Sequence, residues 1–290
     1  MKSFLDQDFL LNTPSAQQLY HTYAEGLPIL DYHCHIDPRE IWEDKQYPNL
    51  AQLWLGVGGS HFGDHYKWRF MRSCGVDEQY ITGDAPDRER FRQWARCVSR
   101  AIGNPLYHWS HMELKTYFGC DRPLTEKNAD EVYDLACEKL RDPSMSVRGI
   151  IRQSGVRLIC TTDDPADDLI WHRKLAQDAS FETKVLPALR PDKAKAIEAP
   201  DYPAYLQKLG QAADVEIRSF ANLKTAMVRR IDFFESVGCT VSDHALEYVM
   251  YAPAPEAEIE GIFARRLAGQ LPTEQERQQF YTAFLTFVAG

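Results

Sequence analysis

Two imidazoles one residue apart, His33 and His35 in Asp31-Tyr32-His33-Cys34-His35, are the side chains of this sequence best suited to chemistry. They follow an apolar run, LPIL at 27–30, that reads as a strand, and Asp37-Pro38 ends it. Side chains two apart on a strand share a face, so both rings project together, as two nitrogen ligands of one divalent metal must. The bland alternative for an HxH is a surface turn. Its position at the end of an apolar strand favours metal binding, with His33 and His35 as the ligands.

Other groups stand at similar places. Arg190 follows LPAL and precedes Pro191 and Asp192. A guanidinium there can clamp a carboxylate with its planar fork of donors, or simply pair with Asp192. Asp243 and His244 after TVS are candidate acid–base groups. Asp163 and Asp164 follow two threonines, where an acid can equally cap the next turn, above all Asp164 before Pro165. His65 and Tyr66 lie in a Gly-flanked, aromatic-rich loop and could bind substrate or move protons. Their alternative is packing at a helix start, with Tyr66 and Trp68 in the core. His108 and His111 have a chelating i, i+3 spacing but sit in a helical stretch, so packing or loop support is expected. His21 and His172 read as ordinary exposed helical residues, and His61 receives no role.

Four segments must position these groups: LPILDYHCHI (27–36), VRLICTTDD (156–164), KVLPALRPD (184–192) and GCTVSDH (238–244). Each is an apolar, partly β-branched run with a polar tip, followed by a helical stretch. Strand then helix, repeated, implies a parallel sheet. In such folds ligands bind at the carboxyl ends of the strands, where all four reactive tips fall. The fold class expected is α/β of the TIM-barrel, metal-dependent hydrolase-like type, as one domain over 1–290 with a helical insertion at about 40–150. Four units fall short of the eight in a closed (β/α)8 barrel, so the barrel is expected to be incomplete in this sequence.

Beyond the strand-one HxH, the chain carries GDHYKWRFMRSCGV (63–76), NPLYHWSHMEL (104–114), LICTTDDP (158–165), VLPALRPDK (185–193) and VSDHAL (241–246). In this order they resemble the uronate isomerases of the amidohydrolase superfamily, from near the start of the chain to its last residues. The resemblance implies aldose–ketose isomerisation of hexuronates, glucuronate to fructuronate or galacturonate to tagaturonate. It implies zinc as the divalent ion on His33 and His35, Arg190 on the sugar carboxylate, and His65 and Tyr66 on the substrate. It also implies a later histidine and aspartate completing the metal site, which no residue here matches; a homo-oligomer is expected as well. Two alternatives stay open: a metal-dependent hydrolase of the same superfamily, which shares the HxH, and an inactive fragment that binds only metal or sugar acid. Such a half-barrel would expose sheet edges and an apolar face.

Bulk properties narrow the partners. With 42 acidic against 33 basic residues, a net charge of -9 and no basic cluster with interleaved aromatics, a nucleic-acid partner is not expected. No stretch approaches the roughly 18 uninterrupted apolar residues of a membrane span, so no membrane partner is expected either. Acids interrupt every apolar run of the first 26 residues, which argues against a signal peptide and for the cytoplasm. Seven cysteines without paired short spacings read as reduced, mostly buried thiols.

Overall fold

Apolar side chains collect into two separate cores, and the chain divides accordingly. The computed structural model describes residues 4–60 and 62–290, so His61 lies outside the described residues. One compact unit comprises Met1–Pro28 with Glu43–Gly155, the other Ile29–Trp42 with Val156–Gly290. The helical insertion expected at about 40–150 is therefore the larger part of a unit that also takes in residues 1–28.

The first unit is helical: α1 (Leu50–Leu55), α2 (His65–Ser73), α3 (Asp87–Val98), α4 (Pro105–Phe118), α5 (Ala129–Lys139) and α6 (Val147–Gln153). Trp54, Phe91, Trp94, Leu114, Phe118 and Val132 fill its core. Arg90 is fully buried there and donates to the carbonyls of Gly56 at 2.8 Å and Ile81 at 3.0 Å. The segment around His65 and Tyr66 is the first turn of α2 rather than the expected loop. Asp64 caps that helix, its Oδ1 accepting from the backbone N–H groups of Tyr66 and Lys67 at 2.9 and 3.1 Å.

The second unit carries the sheet. Strands β1 (Ile29–Asp31), β2 (Val156–Cys160) and β3 (Lys184–Leu186) are parallel in the order β1-β2-β3. They are shorter than the apolar runs suggested: β1 and β2 give way to polar residues, and β3 stops at Pro187, which has no N–H to donate to a ladder. The fourth expected strand forms only a bridge: Leu189 N–H donates to Val241 O at 3.1 Å and Asp243 N–H to Leu189 O at 3.2 Å. It still lies parallel beside the continuation of β3. The four segments thus run side by side in sequence order.

Helices α7 (Ile170–Ala176), α8 (Tyr202–Ala213), α9 (Phe220–Ser236), α10 (Glu256–Leu267) and α11 (Glu274–Ala289) belong to this unit, together with short helices at Pro38–Trp42 and Asp192–Lys195. Phe220, Phe263, Phe280 and Phe284 interlock with ring centroids 5.4–6.4 Å apart. Thr273 and Glu276 form a capping box that starts α11. Ile29, Leu30 and Tyr32 on and beside β1 are 50%, 60% and 75% exposed. All seven cysteines are free thiols, four of them buried, as their spacing suggested. No helix among the described residues is long and apolar enough to cross a membrane.

A buried guanidinium holds the turn after β2. Arg230 on α9 donates to the carbonyls of Pro165 at 2.6 Å, Asp167 at 2.7 Å and Ala212 at 2.8 Å. Arg230→Met keeps much of the stem but orphans three acceptors, and is expected to cost about 2–4 kcal/mol. The check is the urea midpoint of unfolding. A midpoint equal to the parent's would mean that the clamp contributes nothing.

Candidate active site

His33 and His35 lie just beyond the end of β1, where strand periodicity persists without strand pairing. Cys34 N–H donates to Cys160 O at 2.8 Å, keeping the segment aligned with β2. The Cys34 side chain is buried while its two neighbours are exposed, which is the alternation that turns both imidazoles to one face. Their Nε2 atoms approach to 3.0 Å.

Each ring is held from behind. His33 Nδ1 is 3.1 Å from Asp243 Oδ2, and His35 Nδ1 is 3.2 Å from Thr162 Oγ1. Asp243 Oδ2 also faces Arg190 Nη1 at 3.4 Å, while Arg190 Nε donates to Asp192 Oδ2 at 2.8 Å. Asp192 Oδ1 accepts from Ala245 N–H at 3.0 Å and from Lys195 Nζ at 3.2 Å. Burial alone would raise the Asp192 carboxyl. The Arg190 guanidinium, the Ala245 N–H and the Lys195 ammonium outweigh it and hold the group below the usual carboxylate range.

The structure therefore brings His33, His35, Arg190 and Asp243 into one connected cluster at the carboxyl ends of the strands. An open groove of about 600 Å³, lined by Ile29, Tyr32, His33, Ala188, Val241 and Asp243 among others, adjoins it. Arg190 makes the pair with Asp192 that its sequence offered as one alternative, and it also stands beside Asp243. His244 has its Nδ1 buried without a hydrogen-bond partner, and burial lowers its pKa against the pull of Asp192.

The other candidates are not members of this cluster. His65 and Tyr66 belong to the first unit, both exposed, with ring centroids 4.3 Å apart. Trp68 alone takes the core position considered for this segment, its Nε1 donating to Leu55 O at 2.9 Å. His111 is a packing residue: Nδ1–H donates to Tyr107 O at 2.6 Å and Nε2 accepts from Leu124 N–H at 2.8 Å, leaving no nitrogen for a metal. His21 is exposed and pairs with Asp8 and Glu25 at 3.0 Å. Asp164 stabilises its own turn, Oδ1 accepting from Ala166 N–H at 2.9 Å and from Tyr205 Oη at 3.0 Å.

The two nitrogens of the HxH suit a shared cation. Atoms 3.0 Å apart can both reach one ion at the roughly 2.1 Å of a zinc–imidazole bond, and the other nitrogen of each ring faces an oxygen, that of Asp243 for His33 and that of Thr162 for His35. Among the described residues no group of three or more His, Cys, Asp or Glu side chains is placed to hold a metal ion.

His172 departs from its expected exposure. It is 2% exposed on α7, and its Nε2 lies 2.7 Å from Thr161 Oγ1, which in turn donates to Asp163 Oδ2 at 2.7 Å. With the hydroxyl proton on Asp163, His172 must donate from Nε2, and its Nδ1 is left buried without a partner. Sequence reasoning missed this triad and Thr162. The period-two rule applied to HxH would have placed Thr161 and Asp163 on one face and Thr162 on the other.

Burial lifts the Asp163 carboxyl to about 6 and lowers the His172 imidazole to about 4. The folded state thus favours a protonated acid beside a neutral base. The contribution of Asp163 is full below its ordinary 3.8 and is lost as pH rises through about 6. That of His172 is full above 6.5 and is lost as pH falls towards about 4. Between these limits the two slopes oppose. In Asp163→Asn the slope of unfolding free energy against pH should become more positive than in the parent, and in His172→Gln more negative. Urea unfolding at several pH values measures both, and parallel curves would refute the opposed pair.

The glucuronate isomerase family profile matches residues 1–290. The uronate isomerase of Lachnospira eligens is 57% identical over 288 residues, covering 99% of this chain and 60% of that protein. That of Yersinia enterocolitica is 50% identical over 291 residues, covering 100% and 61%. The crystal structure of the Thermotoga maritima uronate isomerase aligns with a TM-score of 0.86 at 32% identity, over 98% of this chain and 61% of that one. The glucuronate isomerase structure from Caulobacter crescentus, at 23% identity and a TM-score of 0.87, covers 99% and 60% and shares the fold. The chain spans about three fifths of the length of the curated relatives it matches. With a cluster of two imidazoles, a guanidinium and a carboxylate at its strand ends, it belongs to the glucuronate isomerase family.

Proposed function

We propose that the protein carrying this chain isomerises hexuronates between aldose and ketose forms, D-glucuronate to D-fructuronate and D-galacturonate to D-tagaturonate. The observation that carries the proposal is the connected cluster of His33, His35, Asp243 and Arg190 in a chain of this family. The sheet is read as the first part of a (β/α)8 barrel. Support comes from the four parallel segments in sequence order and from the likeness to the longer Thermotoga maritima enzyme.

The reaction moves a proton from C2 to C1 through an enediol while a hydroxyl proton passes between the two oxygens. His33 and His35 would hold a divalent ion, zinc by the nitrogen character of the pair. When bound, such an ion polarises the substrate oxygens. Arg190 is assigned the sugar carboxylate, for which its planar fork is suited and beside which Asp192 and Asp243 hold it in place. Asp243 lines the groove and is read as the group that holds the migrating proton, with His244 next to it as a second acid–base candidate. His65 and Tyr66, exposed at the start of α2, are assigned to substrate hydroxyls on the family resemblance alone.

A coupled assay of D-glucuronate conversion on the metal-replete full chain tests the reading. His33→Ala with His35→Ala should abolish turnover together with metal binding. Arg190→Met should lower kcat/KM roughly 10- to 100-fold, mainly through KM. Turnover that survives the double substitution would remove the metal site, and an unchanged KM in Arg190→Met would remove the carboxylate clamp.

A further inference from the structure

Arg190 hangs from the last rung of a ladder. Beyond β2 and β3 the parallel pairing resumes along residues 161–163 and 186–190. Thr161 N–H donates to Leu186 O at 3.0 Å, Ala188 N–H to Thr161 O at 3.1 Å, Asp163 N–H to Ala188 O at 2.9 Å and Arg190 N–H to Asp163 O at 2.8 Å. Each segment alternately gives and accepts, as in any parallel pair. After Arg190 the chain turns through Pro191 into the short helix Asp192–Lys195, so the bond from its N–H to the Asp163 carbonyl closes the series. Terminal rungs are where a ladder opens first.

The side chain of Asp163 reaches back over these rungs. It is 6% exposed, and its Oδ2 accepts from Thr161 Oγ at 2.7 Å and from Ala188 N–H at 3.2 Å. Asp163 therefore meets residues 188–190 at three points: its N–H on the Ala188 carbonyl, its carboxylate on the Ala188 N–H and its carbonyl on the Arg190 N–H. Thr161 is met in turn by His172 Nε2 at 2.7 Å, from α7. Burial disfavours the ionised acid, a cost that an alkyl side chain would not carry. What the acid supplies is an acceptor aimed at two donors beside the last rung.

We propose that Asp163 is a positioning residue for Arg190, its carboxylate bracing the last rungs between residues 161–163 and 188–190 and so fixing where the guanidinium stands. The far end of Arg190 is set by Asp192 at 2.8 Å and Asp243 at 3.4 Å. Asp163 sets the near end, the backbone from which the side chain reaches. A fork fixed at both ends has less freedom to lose when a carboxylate arrives. The inference rests on the assignment of the sugar carboxylate to Arg190 and deepens it. Asp163 itself touches no substrate in this scheme.

The test uses the full chain with Asp163→Ala and Asp163→Asn, the second keeping an oxygen where Oδ2 stands. Followed residue by residue by NMR, the amides of Ala188 and Arg190 should exchange with deuterium roughly 10-fold faster in Asp163→Ala than in the parent. Leu189, whose N–H bonds to Val241 on the opposite side, should change less. Asp163→Asn should stay within a few-fold of the parent. In the coupled assay, Asp163→Ala should raise KM for D-glucuronate roughly 10-fold, with kcat changing less. In an Arg190→Met background the same substitution should leave KM where it was, since no guanidinium is left to place. A general loosening would instead move Leu189 with its neighbours and act equally in both backgrounds. Parent-like exchange at Ala188 and Arg190 in the alanine variant, an unchanged KM, or a KM effect that persists without Arg190 overturns the proposal. A KM that does not respond to Arg190→Met overturns the carboxylate reading instead, and the exchange pattern then still decides whether Asp163 braces the rungs.

Discussion

The Asp243 carboxylate is where the separate segments of this site become one object. One of its oxygens serves both the His33 imidazole and the Arg190 guanidinium, tying the end of β1 to the end of β3 through a segment that is barely a strand itself. Asp192 then latches that segment from below, accepting from Arg190, from Lys195 and from the backbone of Ala245. Removing Asp192 would take an ion-pair partner from both Arg190 and Lys195, and removing Asp243 would take one from Arg190 and from His33. Short strands suffice here because side chains continue the alignment that the ladder abandons.

Elsewhere in both units the same need, holding irregular backbone in place, is met by buried guanidiniums that face carbonyls. Arg90 does so for the turns around Gly56 and Ile81, Arg230 for the turn after β2, and Arg266 for Ile197 and Ala199 at 2.8 and 2.7 Å. Five donors in a plane can serve several acceptors at once, which neither lysine nor a neutral amide can match. Since most of the acceptors are uncharged carbonyls, these clamps owe little to ion pairing, and added salt has little to screen.

Much of the site was legible in the sequence because it obeys the two-residue period of extended chain. HxH, the arginine after LPAL and the acid after TVS all follow apolar runs, and the structure gathers them. What escaped notice depends on contacts distant in sequence. His172 has polar neighbours along its helix, yet the helix presents it to Thr161 and buries it. The division into two cores was hidden for a similar reason: residues 1–28 join the helical unit through packing, which periodicity does not record. His65 and Tyr66 read as a loop because glycines flank them, whereas Asp64 starts a helix there.

Cys34 shows what the bend after β1 excludes. It is the softest donor of the Asp31–His35 run, placed between two imidazoles, and the alternation turns it inward while they turn outward. Its sulfur is therefore turned away from any ion that the proposed histidine pair would hold. A site with that thiolate would attract thiophilic metals such as copper(I) or cadmium; one with nitrogen and oxygen donors alone discriminates against them. In the proposed metal site, selectivity would be a property of which way the backbone faces a single side chain, set before any ligand is chosen.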